Sequence, residues 1–303
     1  MGKPLSPPGA WRRLLRNPVA LTSMAILAFV AFIAIFGPVI FQTDPHALSS
    51  HQFSEPSAEH FFGTDVNGRD VFARVIEGAR ISLLVGLCGA MVSFFVGTTY
   101  GMISGYVGGK TDALMMRFVE ILYSIPRLII IILVSFIFDP KVKLWLSGIA
   151  GGALVGYSKV LILIFSLGLI EWLTMARIVR GQVLSLKAQQ FVLAARSLGQ
   201  SHTRIILRHL LPNLVGIVVV YLTLTIPAVI LDESFLSFLG LGVQAPQASW
   251  GSLLADGALA INPIRSHWWL LVFPAGVMSI TLLALNFLGD ALRDALDPRA
   301  RRS

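Results

Sequence analysis

The chain has 303 residues, 55% hydrophobic and 13% charged, with 24 Lys and Arg against 16 Asp and Glu. That balance excludes an ordinary soluble domain and places the chain among membrane proteins. The net charge of +8 does not read as a nucleic-acid surface, because no basic stripe with interleaved aromatics occurs.

Residues 1–18 form a short N-terminal segment carrying Lys3, Arg12, Arg13 and Arg16. An apolar run over 19–41 follows. It is longer than the roughly 7–15-residue core of a signal peptide and lacks a small-residue cleavage site, so it reads as an uncleaved first membrane helix. Residues 42–80 are a polar loop with six acids, read as external. Within it GTDVNGRD spans Gly63, Asp65, Gly68, Arg69 and Asp70. Alternating acids suggest calcium, yet the remaining ligands and the closing Glu are missing. A hydrogen-bonded cap, with Asp and Asn side chains closing turns around the two glycines, is the better reading. The one cysteine, Cys88, excludes an intrachain disulfide and a cysteine-cluster metal site.

Residues 81–288 read as a five-helix core. The first of its helices, over 81–106, carries Gly97, Gly101 and Gly105 at four-residue spacing. Such a stripe lets a neighbouring backbone approach, either across a subunit seam or within the chain. The sequence SGYVGGKT over Ser104–Thr111 imitates a phosphate-binding loop. It lacks the first glycine and follows a membrane helix rather than a strand, so no ATP site is expected in this chain. Residues 118–138 form the next helix, interrupted at Pro126, with a loop over 139–158. Helices over 159–180 and 214–231 flank a polar, basic loop, 181–213. An outer segment over 232–267, a last helix over 268–288 and a tail over 289–303 complete the chain.

The loop contains FVLAARSLGQSHTRIILRHLLPN, Phe191–Asn213. It holds Arg196, Arg204, Arg208, His202 and His209 and no acid. Gly199 predicts a break between two short helices, and Pro212 predicts the end of the second. This stretch resembles the signature loop of permease subunits in ATP-binding-cassette importers. Ala194, Ala195, Arg196, Gly199, Ser201, Arg204, Leu211 and Pro212 carry the pattern, with Leu193 where that family has Glu. The resemblance extends to GTDVNGRD, to ARIVRGQ over Ala176–Gln182, to DESFLSFLGLG over Asp232–Gly242 and to the GDALRDALDPRA tail. It is similar to the second permease of dipeptide, oligopeptide and nickel importers.

The resemblance implies an all-α integral membrane protein with six spanning helices and the type I importer permease fold. It implies a second, homologous permease, two cytoplasmic ATPases, one of which docks on this loop, and an external solute-binding protein. The permease would be no enzyme itself. No cofactor would be bound by this chain, ATP and Mg belonging to the ATPases. Short peptides are the expected solute, with nickel, glutathione or another small solute as alternatives. A passive channel and an intramembrane hydrolase are rivals from other classes; His202 and His209 lack zinc-protease spacing and no GxSxG occurs.

Charge supports the topology. With the N-terminus inside, 16 of the 24 Lys and Arg fall in inside segments, as the positive-inside rule asks. Both termini and the basic loop then lie in the cytoplasm of a bacterium or archaeon, beneath its cell membrane. Arg127 and Glu171 are left inside the bilayer. An intramembrane Arg demands a partner, so Arg127 and Glu171 are expected to pair beside the solute path. Glu120, two turns below Arg127 on the same helix face, competes.

Overall fold

Long apolar runs in a solvent that cannot satisfy backbone groups must become helices. The computed structural model describes residues 10–149, 152, 154–261 and 265–296, with side chains from residue 12. Among these the named elements are all helical, and the only bridges are two isolated ones, Thr64 with Asp70 and Ile261 with Ser266.

A short helix α1, Ala10–Arg16, leads into α2, Pro18–Phe41, whose N-terminus is capped by the Asn17 side chain. Then come α3, Val71–Val107; α4, Gly109–Ser124; α5, Arg127–Ser147; and α6, Ser158–Lys187. Two short helices, α7 (Gln190–Ser197) and α8 (His202–Ile205), lead through a π turn over Ile206–Leu210 into α9, Leu211–Phe238. Last are α10, Trp250–Ala260, and α11, Trp269–Leu296. Five stretches are long and apolar enough to span a membrane, and α4 with α5 makes a sixth if that pair, bent by 88°, is one broken span.

Several boundaries differ from the sequence reading. α3 starts at Val71 because Asp70 caps it through Ala73 N, so the outer loop is 42–70 rather than 42–80. α5 runs past Pro140 to Ser147, so much of the expected 139–158 loop is helix. α9 continues to Phe238, taking in the first half of DESFLSFLGLG. α11 absorbs the start of the tail, to Leu296; the rest of the tail lies outside the described residues. The basic loop shrinks from 181–213 to 188–210.

The packing is centred on α3 against α6. A Cβ on Gly97 would lie 2.6 Å from Met175 Cβ, and one on Gly105 would lie 2.9 Å from the Arg180 carbonyl. Gly101 would meet the Ala176 carbonyl more closely still. The glycine stripe therefore closes an intrachain seam, not a seam between subunits. α9 lies across this pair, joining Val85, Leu163, Leu167 and Val229 in one buried cluster. Of the five unbroken spans α2 is covered least. Phe29, Ile35 and Val39 are exposed, which suits a helix whose surroundings are apolar.

Candidate functional site

Three polar constellations stand out in this oily chain. One lies at the end where α3 and α6 finish and α9 begins. One lies at membrane depth. One caps the opposite end.

The first is the segment between α6 and α9. α7 is amphipathic, and Val192 and Ala195 are buried against Tyr106, Val183, Ile205, Leu210 and Leu214. Gly199 sits at φ +72° with nothing near its missing side chain, so the turn there depends on backbone freedom alone. Ser201 caps α8 through Arg204 N. The two expected short helices are present and meet at Gly199. Pro212 does not end the second one. It lies in the first turn of α9, where a proline lacks nothing the helix would use, and the π turn before it carries the chain straight through. Leu211 starts that same turn. Leu193 and Leu198 are exposed, as are Arg196 and Arg204.

This segment is tied down by specific contacts. Tyr106 Oη lies 2.7 Å from His202 Nδ1. The Arg196 guanidinium sits 5.5 Å from the Tyr106 ring centroid. His209 Nε2 is 2.9 Å from Gln200 Oε1. Lys187 donates to the Tyr106 carbonyl, one of those left open at the end of α3. Nearby, Asp112 of α4 accepts from Arg180 of α6 at 2.6 and 2.7 Å and from Ser104 Oγ at 2.5 Å. The Ser104–Thr111 stretch is thus a helix–turn–helix corner, with Gly108 and Gly109 at positive φ.

The second constellation joins three helices. Arg127 is the first residue of α5, just past the break at Ser124–Pro126. Its Nη2 lies 3.0 Å from Asp232 Oδ1 on α9, and its Nη1 lies 3.9 Å from Glu171 Oε1 on α6. Glu171 sits near the middle of the 30-residue α6. Among the described residues Glu120 forms no ion pair. Because α4 and α5 meet at 88°, Glu120 and Arg127 do not share one helix face as expected. Nothing in the sequence singles out Asp232. It falls where hydropathy stops, at the edge of a motif read as an outer segment. A charge at a helix centre costs about 2.5–3.5 kcal/mol on the insertion scale, and these three, from three helices, offset part of that cost for one another.

The third is the outer cap. Asp65 is buried and accepts from Asn67 N (2.8 Å), Arg69 N (3.0 Å), Arg69 Nε (2.8 Å) and Arg74 Nη1 (2.7 Å). Arg74 also reaches Asp256 on α10 at 3.1 Å. Asp70 caps α3 and lies 2.8 Å from His60 Nδ1. Gly63 and Gly68 both have positive φ, and a side chain on either would strike backbone. The motif residues are spent on one another, and among the described residues no group of three metal-ligating side chains occurs.

One further buried acid carries no signal of its role in the sequence. Glu233 is fully buried and accepts from Ser82 Oγ of α3 (2.9 Å) and Ser237 Oγ (2.6 Å). Ser82 in turn accepts from Trp250 N of α10. Glu233 is therefore a hydroxyl-bonded fastener joining α3, α9 and α10. Its neighbour Asp232 instead faces the guanidinium.

Comparison with known proteins gives a consistent picture. The family described as binding-protein-dependent transport system inner membrane component matches residues 97–302. The N-terminal TM domain of oligopeptide transport permease C matches residues 9–56. The Dipeptide transport system permease protein DppC of Bacillus subtilis is 45% identical over 297 residues, covering 97% of this chain and 86% of its own. The Oligopeptide transport system permease protein OppC of Escherichia coli K12 is 47% identical over 297 residues, covering 96% and 91%. The OppC of Haemophilus influenzae is 47% identical over 299 residues, covering 96% and 88%.

Proposed function

The chain belongs to the family of binding-protein-dependent transport inner membrane components, and from that premise we propose how it works. It is a membrane-spanning permease subunit of an ATP-driven importer of di- and oligopeptides. The observation that carries the solute is the near-complete coverage of this chain by relatives named as dipeptide and oligopeptide permeases.

A second, homologous permease completes the translocation path, one of two ATPase subunits docks on residues 188–210, and an external binding protein delivers the peptide. Both termini and the docking segment lie in the cytoplasm, an orientation supported by the excess of Lys and Arg on that side. ATP and Mg are held by the ATPases, and this chain hydrolyses nothing itself.

The geometry supports a mechanical division of labour. The docking segment is fixed to α3 through Tyr106, shares a buried cluster with α6 through Val183, and runs into α9 without a break. Closure of the ATPases would therefore move α3, α6 and the start of α9 as one body. α4 and α5 are joined to this body by the Arg180–Asp112 pair, the Tyr123–Thr174 hydrogen bond at 2.6 Å, the Arg127 cluster, and the apolar packing of Met116, Val119 and Ile131 on α6. An elbow so held can take two positions relative to a rigid core, which is what alternation between inward-facing and outward-facing states needs.

The test is uptake of labelled di- and tripeptides by cells lacking this gene, with and without the gene restored. Loss and recovery of uptake is the expected result. Peptide uptake unaffected by the deletion, with no second system present, would overturn the reading.

A further inference from the structure

The cluster formed by Arg127, Glu171 and Asp232 is unevenly matched. Two carboxylates face one guanidinium. Asp232 takes the close contact at 3.0 Å, whereas Glu171 is left at 3.9 Å, outside hydrogen-bond range. Among the described residues no further Lys or Arg comes within ion-pair distance of either acid. Lys159 is engaged by Asp139 at 3.5 Å, Arg180 by Asp112, and Arg177 lies over the Tyr123 ring at 4.0 Å. Glu233, next to Asp232, is turned away into its serine hydroxyls. One carboxylate, Glu171, is thus left without a close cationic partner.

The cluster is also reachable. The Arg127 side chain is 57% exposed, and Glu171 keeps 16% of its surface. Charges exposed at this depth face water or a protein partner rather than lipid. In a peptide permease the water-filled space at that depth is the solute path. This step rests on the function proposed above.

We propose that Glu171, with Asp232 behind it, receives an ammonium group of the passing peptide. The α-ammonium of the free N-terminus and the ε-ammonium of a lysine side chain share this chemistry. The incoming ammonium supplies the counter-charge that Glu171 lacks, while Arg127 stays on Asp232 and holds the acids apart. The cluster is thereby a charge filter within the permease, separate from any selection made by the binding protein.

The experiment uses the whole importer in proteoliposomes, with rates normalised to the fraction of binding protein loaded. Three solutes are compared: alanyl-alanine, its N-acetyl form, and N-acetyl-lysyl-alanine. For the native importer the maximal rate should be about tenfold higher for alanyl-alanine than for its N-acetyl form. Restoration of the rate by the lysine peptide assigns the site to any ammonium. No restoration assigns it to the N-terminus. Glu171→Gln should shrink the tenfold difference to within about twofold, and Glu171→Asp should keep most of it. Arg127→Gln, which leaves both acids open, should widen it. A difference unchanged by Glu171→Gln, or an equal loss of all three rates, overturns the proposal. If Glu171→Gln fails to assemble, an unchanged difference in Arg127→Gln overturns it. Absence of any peptide uptake by the native importer would instead overturn the proposed function. As an independent readout, a dipeptide carrying a diazirine on its first residue should label α5, α6 or α9 beside the cluster, and labelling elsewhere alone overturns the site.

Discussion

The hydroxyl of Tyr106, at the end of α3, meets the imidazole of His202, at the start of α8, across 2.7 Å. Ninety-six residues of chain separate the two. The contact binds the 188–210 segment to the helix that forms the core with α6. Tyr106 is itself buried, and the Arg196 guanidinium lies against its ring. One side chain therefore holds both halves of the segment.

Tyr106→Phe removes the hydroxyl and keeps the ring. The expected cost in stability is about 1 kcal/mol, the ordinary net value of one hydrogen bond. The expected functional effect is larger. ATP hydrolysis by the purified complex should persist while peptide imported per ATP falls several-fold. An unchanged ratio would show that the contact does not transmit motion.

Gly199 supports a sharper comparison. Its φ of +72° is the left-handed region, and nothing lies within 4 Å of where a Cβ would be. Any penalty is thus conformational, about 1–2 kcal/mol for an ordinary residue. Gly199→Val should leave membrane insertion intact and uncouple ATP hydrolysis from uptake. Gly199→Asn should be close to native, because Asn tolerates this region. Equal behaviour of the two variants in an uptake assay would refute a backbone role for the turn.

Parts of this architecture are legible in the sequence, and the reasons differ from residue to residue. The 188–210 segment announces itself as a basic stretch between two apolar runs, with Gly199 marking its break. Pro212 misleads, because a proline ends a helix only when it falls in the interior, and here the π turn places it at a start. Pro126 is visible as an interruption, but an 88° bend is decided by packing, not by proline alone. Arg127 and Glu171 are legible as charges inside apolar runs, each in need of a partner. Asp232 is not, because charge and hydropathy both suggest that the membrane ends at Leu231. The glycine stripe declares a close approach without naming the partner helix. Glu233 gives no signal, since serines scattered through the chain do not form a pattern until folding gathers them.

The outer cap gives a stability prediction. Asp65 is buried and accepts from two arginine side chains and two backbone amides. Asp65→Asn would deprive Arg69 of the carboxylate it shares with Arg74 and leave Arg74 with Asp256 alone. Breaking a buried pair from one side costs about 3–5 kcal/mol. The 42–70 loop should become protease-sensitive, and the thermal midpoint of the purified complex should fall. Added calcium or EDTA should change neither quantity, since the motif's oxygens already face internal donors. A calcium-dependent midpoint would revive the metal reading.

The intramembrane cluster allows a swap test that ranks the two acids. Arg127 approaches Asp232 at 3.0 Å and Glu171 at 3.9 Å. Of the two ion pairs, the one at 3.0 Å has the stronger Coulomb attraction and the one at 3.9 Å the weaker, though that attraction falls slowly with distance. Breaking either pair alone leaves a charge without a partner at membrane depth. Arg127→Asp and Asp232→Arg should therefore each lower the amount of assembled complex in membranes. The double change, Arg127→Asp with Asp232→Arg, restores opposite charges at the close contact and should recover most of that amount. The parallel swap, Arg127→Glu with Glu171→Arg, should recover less. It restores only the longer contact and sets a new carboxylate against Asp232 in place of the guanidinium. Complex abundance after solubilisation, read by blotting, measures both. Equal recovery by the two swaps, or better recovery by the second, would mean that Glu171 rather than Asp232 anchors the elbow.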